Sequence, residues 1–183
     1  MISRDILINW FFKNELELIK EMMKADHNVN LETPNIYHME GTVWTHTLMV
    51  MTYIESQKQY LKVQDYIKLI TTALLHDIGK PSTLETLPAS ETKQTRNSFK
   101  GHEGVSTFMS IKILKKLQKD FPEIYTENII KDIIYLVSLH GCYIDKDTEL
   151  KEIRDIFRIA DKTGAVRNPE ADIIDNYPQR NYV

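Results

Sequence analysis

Residues 73–81, ALLHDIGKP, run from apolar side chains straight into a histidine and an aspartate, followed by a glycine, a lysine and a proline. An imidazole next to a carboxylate can ligate a metal or move a proton. Helical spacing puts Asp77 in line with Leu74 and Ile70, on the face directed at the core, while His76 shares a face with Leu69 and Ala73. A buried carboxylate left alone costs on the order of several kcal/mol, so Asp77 requires a cation or several donors. Neighbours on a helix point about 100° apart, so both side chains can serve one centre only near a helix end, where Gly79 loosens the backbone.

The dipeptide by itself is weak: with six His and twelve Asp in 183 residues, about 0.4 His-Asp pairs arise by chance. Further ionisable groups fall on or beside apolar faces. His46 sits in GTVWTHTLMVM, His140 in IIYLVSLHG and Asp161 in IFRIADKTGAVR, while His102 opens a helix after FKG. A lone helical histidine is ordinarily a satisfied core residue. Taken together, four imidazoles and two carboxylates without sulfur suit one or two divalent ions: Mn, Fe, Co, Ni or Zn, with Mg also admitted.

Helices must position these groups. The periodicity predicts a first helix over 3–24, capped by Ser3, with Ile6, Trp10, Leu16, Ile19 and Met23 as its apolar positions. It predicts further helices over 42–57 and 63–77, the latter stopped by Gly79 and Pro81, and then over 102–119, 125–140 and 148–166. Residues 81–101 read as a long loop and 168–183 as an irregular tail. Alternating β patterns are nearly absent, so an all-α fold of about six or seven helices is expected, as one domain over 1–183.

Bulk properties exclude several classes. A formal net charge of −3 asks for no long polyanionic partner. The single cysteine, Cys142, rules out an intramolecular disulfide and thiolate metal sites, which fits a reducing, cytoplasmic location. The N-terminal apolar stretch is interrupted by Lys13 and Glu15, too soon to span a bilayer, and shows no cleavage pattern; neither anchor nor signal peptide is expected. Lys112, Lys115, Lys116 and Lys119 alternate with Ile113, Leu114 and Leu117 as a solvated helix face does.

The order His46, His76-Asp77, His102, His140, Asp161 resembles the HD superfamily of metal-dependent phosphohydrolases. More narrowly, YHMEGTVWTHTLMVM, ALLHDIGKP, FKGHEGVS, LVSLHG and IADKTGAVR resemble successive motifs of the HD domain attached to some bacterial CCA-adding tRNA nucleotidyltransferases. The likeness covers roughly residues 37–167, and no nucleotidyltransferase signature accompanies it. It implies that His46, His76, Asp77 and Asp161 bind a first metal, and that His102 and His140, with Asp77 bridging, hold a second. Asp77 and Lys80 become the candidate catalytic residues, Lys80 offsetting charge on phosphoryl oxygens.

Arg96, Lys100 and Arg167 are candidate substrate contacts beside Lys80, Arg167 because it resembles the basic residue closing the last motif. Glu103 is placed to orient a ligand from behind, and Glu40 and Trp44 to fix the approach of the second helix. His27 and His38 fall outside the ordered motifs and are given no metal. The expected reaction is hydrolysis of a nucleotide or RNA-end phosphate, 2′,3′-cyclic phosphate among them, with metal-activated water. Two alternatives stand beside it: a nucleotidase or dinucleoside polyphosphate hydrolase, and a non-catalytic metal-dependent nucleotide-binding module.

Overall fold

The computed structural model describes residues 2–30, 35, 37–89, 95–141 and 150–167. Helices α1 (Arg4–Asn14) and α2 (Leu16–Lys24) precede α3 (Val43–Gln57), which runs into a single 3-10 turn (Lys58–Tyr60). Next come α4 (Val63–Leu75), the four-residue α5 (Lys80–Thr83), strands β1 (Glu85–Leu87) and β2 (Arg96–Ser98), and α6 (His102–Asp120), α7 (Glu127–Leu139) and α8 (Lys151–Gly164). The fold is all-α, as expected. Among the described residues its only sheet is the antiparallel pair β1 and β2, with Glu85 opposite Ser98 and Leu87 opposite Arg96.

α4 lies at the centre, against α3, α7 and α8. From Leu69 to Leu75 every residue is buried, the pattern of a helix enclosed on all sides. Its two inward hydroxyl residues differ from the rest, and Thr71 is satisfied by the Tyr125 hydroxyl at 2.9 Å across to the α6–α7 connection. Truncating a core leucine of this kind, such as Leu74, to alanine costs roughly 2–5 kcal/mol. At the periphery Trp44 of α3 is buried between Phe11, stacked at 6.1 Å, and Phe12, edge-on at 5.8 Å.

The N-terminal helix differs from expectation. Ser3 caps it, accepting from the Ile6 amide at 3.3 Å, but the helix breaks at Glu15, where φ −134° and ψ 34° leave the helical region. The buried face differs as well: Leu7, Trp10 and Phe11 are buried on α1 and Ile19 and Met22 on α2, while Ile6, Leu16 and Met23 face outward. Residues 81–101 differ too, since α5 and the hairpin occupy much of what reads as a loop. Cys142, the start of the helix expected over 148–166, and the tail 168–183 lie outside the described residues.

Two glycines permit close approaches between elements. A Cβ on Gly79 would stand 2.6 Å from the Ser106 amide nitrogen and 2.7 Å from the His102 carbonyl oxygen. A Cβ on Gly164 would stand 2.8 Å from the Val50 nitrogen and 2.9 Å from its Cα. Gly79 therefore seats the turn after α4 against the start of α6, and Gly164 lets α8 lie on α3. Gly79 itself has ordinary right-handed helical angles, φ −83° and ψ −17°, so its missing side chain, not backbone freedom, is what the fold uses.

Candidate metal centre

His76 and Asp77 follow the last residue of α4, in a tight turn closed by the Lys80 amide donating to the Asp77 carbonyl at 3.0 Å. Released from helical spacing, both side chains face one centre. His46 reaches it from the first turn of α3, His102 from the first residue of α6, His140 from just beyond α7 and Asp161 from α8. His46, His76 and Asp161 form one group and Asp77, His102 and His140 another, each presenting three ligand atoms within 4.8 Å of one another.

Asp77 joins the two groups. Its Oδ2 lies 3.2 Å from His76 Nε2 and 3.8 Å from His46 Nε2. Its Oδ1 lies 3.3 Å from His102 Nε2 and 3.5 Å from His140 Nε2. Asp161 Oδ1 completes the first group, 2.9 Å from His46 Nε2 and 3.5 Å from His76 Nε2. Donors that share a cation at bond lengths of about 2.1 Å, roughly at right angles, are spaced about 3 Å apart.

Hydrogen bonds behind the rings decide which nitrogen faces inward. His76, His102 and His140 each donate from Nδ1 to the carbonyl three residues earlier, Ala73 at 2.9 Å, Phe99 at 2.8 Å and Val137 at 2.7 Å. With Nδ1 engaged behind it, each ring turns Nε2 to the centre, the nitrogen that offers a lone pair to a cation when the ring is neutral. The Nε2 atoms of His102 and His140 stand 3.0 Å apart, and the buried His76 Nε2 has no hydrogen-bond partner. Facing lone pairs repel unless a cation lies among them.

Charge points the same way. Three carboxylates, Asp77, Asp161 and the neighbouring Glu40, gather here, and Lys80 Nζ lies 2.7 Å from Asp77 Oδ2. Burial raises the pKa of Asp77 and Asp161, yet the surrounding imidazoles, with Lys80 at Asp77, outweigh it and hold both well below the usual carboxylate range. Burial likewise opposes charging of His76, but Asp77 and then Asp161 raise it to about 10. His46 is raised in the same manner by Asp161 and Glu40. In effect the carboxylates seek positive charge in the space the imidazoles enclose. The donor set and its charge fit divalent cations.

A second layer supports these ligands, and of its members the sequence singles out only Glu40, for the approach of the second helix. Glu40 accepts from His38 Nδ1 at 2.9 Å and from the Val166 amide at 2.9 Å. Its Oε1 also lies 2.9 Å from His46 Nδ1, a charge contact whose angles fall short of a hydrogen bond. Despite burial, its two histidine neighbours keep Glu40 ionised. His27 is stacked on His38 at 4.3 Å and donates from Nδ1 to the Gly41 carbonyl at 2.8 Å.

His27, His38 and Glu40 also have atoms close enough to share an ion, but each is already engaged. Glu40 and His38 bind each other, and the remaining His27 nitrogen accepts from Lys80 at 3.0 Å. His38 and Glu40 lie inside the YHMEG stretch before His46, where the x-Glu spacing was a usable signal. His27 had none, because it arrives through the pairing of Asp26 with Thr42.

Other candidates are placed as follows. Lys80 is buried, 5.3 Å from the Phe99 ring centre. Arg167 lies 5.0 Å over the Tyr37 ring and lines a cavity of about 740 Å3 with His38, His140 and Asp161. Arg96, on β2, and Lys100 are exposed and do not line that cavity. Glu103 lies 3.6 Å from His102 Nδ1, which donates instead to Phe99. Lys112, Lys115, Lys116 and Lys119 are exposed, as a solvated face requires.

Among the described residues no helix is long and apolar enough to cross a membrane. No curated protein and no solved structure matches the chain. The family model described as HD domain matches residues 43–166, a span that contains all six of the converging side chains. By that match, over more than half its length, the chain belongs to the HD domain family of metal-dependent phosphohydrolases.

Proposed function

We propose that the chain hydrolyses a phosphate ester of a nucleotide or of an RNA end, with His46, His76, Asp77 and Asp161 holding one divalent cation and Asp77, His102 and His140 a second. The observation that carries this reading is the doubly facing carboxylate of Asp77, each oxygen within 3.5 Å of imidazole nitrogens from a different group. Cations bound there would acidify water and draw charge from phosphoryl oxygens. The overall reaction adds water across the P–O bond, the hydroxyl going to phosphorus and the proton to the departing alcohol.

The chain's own groups have separable tasks. The backbone carbonyls behind His76, His102 and His140 keep the Nε2 lone pairs directed inward. Lys80 is held at the edge of the centre, where its ammonium would meet a phosphoryl oxygen. Arg167, at the cavity wall, would contact the rest of the substrate. The motif likeness to HD domains of CCA-adding enzymes favours 2′,3′-cyclic and terminal phosphates. Domain organisation as one unit and a cytoplasmic setting belong to the same reading.

The test is hydrolysis of bis-p-nitrophenyl phosphate and of a panel of cyclic, 2′-, 3′- and 5′-nucleotides and dinucleoside polyphosphates, with Mn, Fe, Co, Ni, Zn and Mg in turn. Metal-dependent turnover abolished in a folded Asp77→Asn protein supports the reading. Nucleotide binding without turnover under every metal would replace it with a binding module.

A further inference from the structure

The cavity beside the centre, at about 740 Å3, has the capacity of a site for a whole small-molecule ligand, well beyond one phosphoryl group. Three of its walls' residues, His38, His140 and Asp161, belong to the centre or its support, so a phosphoryl group held there would extend into it. The same cavity is lined by Arg158, Lys162 and Arg167. Arg158 and Lys162 lie one turn apart on α8 and bracket Asp161 in sequence, so the helix that delivers a metal ligand also delivers two cations beside it. Among the described residues the carboxylates lining the cavity are Asp155 and Asp161.

These three cations line the space into which the remainder of a substrate anchored at the centre would extend. We infer that Arg158 and Lys162, with Arg167, form a second anion site that takes a further phosphate of the substrate. This rests on the hydrolase reading only in taking the reacting phosphate to lie at the metal centre. The further phosphate can come from a nucleotide's own phosphate chain or from the backbone of an RNA end; guanidinium and ammonium groups recognise either by charge-assisted hydrogen bonds.

The test compares wild-type protein with Arg158→Ala/Lys162→Ala and with the charge-retaining Arg158→Lys/Lys162→Arg, each shown by circular dichroism to be folded. Manganese-dependent kcat/KM is measured for p-nitrophenyl phosphate, adenosine 5′-diphosphate and 3′-phosphorylated diuridylate. In the double alanine variant, the ratio of kcat/KM for a substrate with two phosphates to that for p-nitrophenyl phosphate should fall about tenfold or more, as loss of charged hydrogen bonds implies. The charge-retaining variant should keep most of that ratio. A fall confined to the diphosphate or to the diuridylate names the source, and an unchanged ratio for both overturns the second site.

Equilibrium dialysis of tripolyphosphate with metal-free protein separates the two readings. Binding by wild type that weakens about tenfold or more in the double alanine variant supports the anion site even if no substrate is cleaved, in which case the hydrolase reading alone fails. Equal binding by both proteins overturns the anion site.

Discussion

Lys80 Nζ lies 3.0 Å from His27 Nε2, and the geometry of the imidazole leaves only one direction for the bond. His27 gives its Nδ1 proton to the Gly41 carbonyl, so Nε2 must accept. Burial, then the nearby Lys80, lowers the His27 pKa to about 2, in keeping with a neutral acceptor. His27 is thus a positioning residue that, with Asp77, fixes the ammonium on two sides.

Replacing His27 by Leu should lower kcat about tenfold through misplacement of Lys80, a loss in the range of one charged hydrogen bond. Metal content, measured by mass spectrometry, should stay near the wild-type value. His27→Gln, which can still present an acceptor, should recover part of the rate. Equal loss in both variants would mean that the imidazole serves packing alone.

Metal and fold should be linked. The facing nitrogens of His102 and His140, at 3.0 Å, and the cluster of carboxylates should be relieved by a bound cation. A ligand present at a thousand times its Kd adds about 4 kcal/mol, or roughly 10 °C in Tm for a domain of this size. Calorimetry with and without manganese should show a rise of that order in wild type and a much smaller one in Asp77→Asn.

Gly164→Ala should harm the centre from outside it. The added methyl would press on Val50 backbone atoms at 2.8 and 2.9 Å, forcing α8 from α3 and so Asp161 from His46. A destabilisation of about 1–3 kcal/mol is expected, together with weaker metal binding. Urea unfolding and metal titration check the two effects. Gly141→Ala is the contrasting case, since its methyl would meet the movable carboxylate end of Glu103 at 2.6 Å.

Away from the centre, the Tyr66 hydroxyl donates to Glu55. Burial raises the Glu55 pKa, but Tyr66 and Lys58 outweigh it and set it below the usual value of 4.5. A depressed pKa contributes stability above the unfolded-state value and loses it as pH falls through the folded-state value. Wild type should therefore exceed Glu55→Gln in stability at pH 7, and the gap should close as pH drops below about 4 in thermal melts.

Much of the centre was legible because its members break apolar patterns. His46, His76, Asp77, His140 and Asp161 stand where a core face should carry aliphatic side chains, so each demands a reason, and the structure brings all five, with His102, to one place. Their supports were not legible. Carbonyls behind the rings carry no side-chain signature, and His27 meets Lys80 only because residues 25–27 pair with 41–43. The break at Glu15 was hidden because the buried residues of the two halves continue one helical stripe across it, and no Gly or Pro marks the position. The hairpin over 85–98 is short and largely exposed, so it lacks the half-buried alternation by which strands are read.

The most direct measurement is anomalous X-ray diffraction at the manganese edge from crystals grown with manganese. Density is expected between His46, His76, Asp77 and Asp161, with a second peak bounded by Asp77, His102 and His140. A map with no anomalous peak within coordination distance of Asp77 would contradict the metal centre.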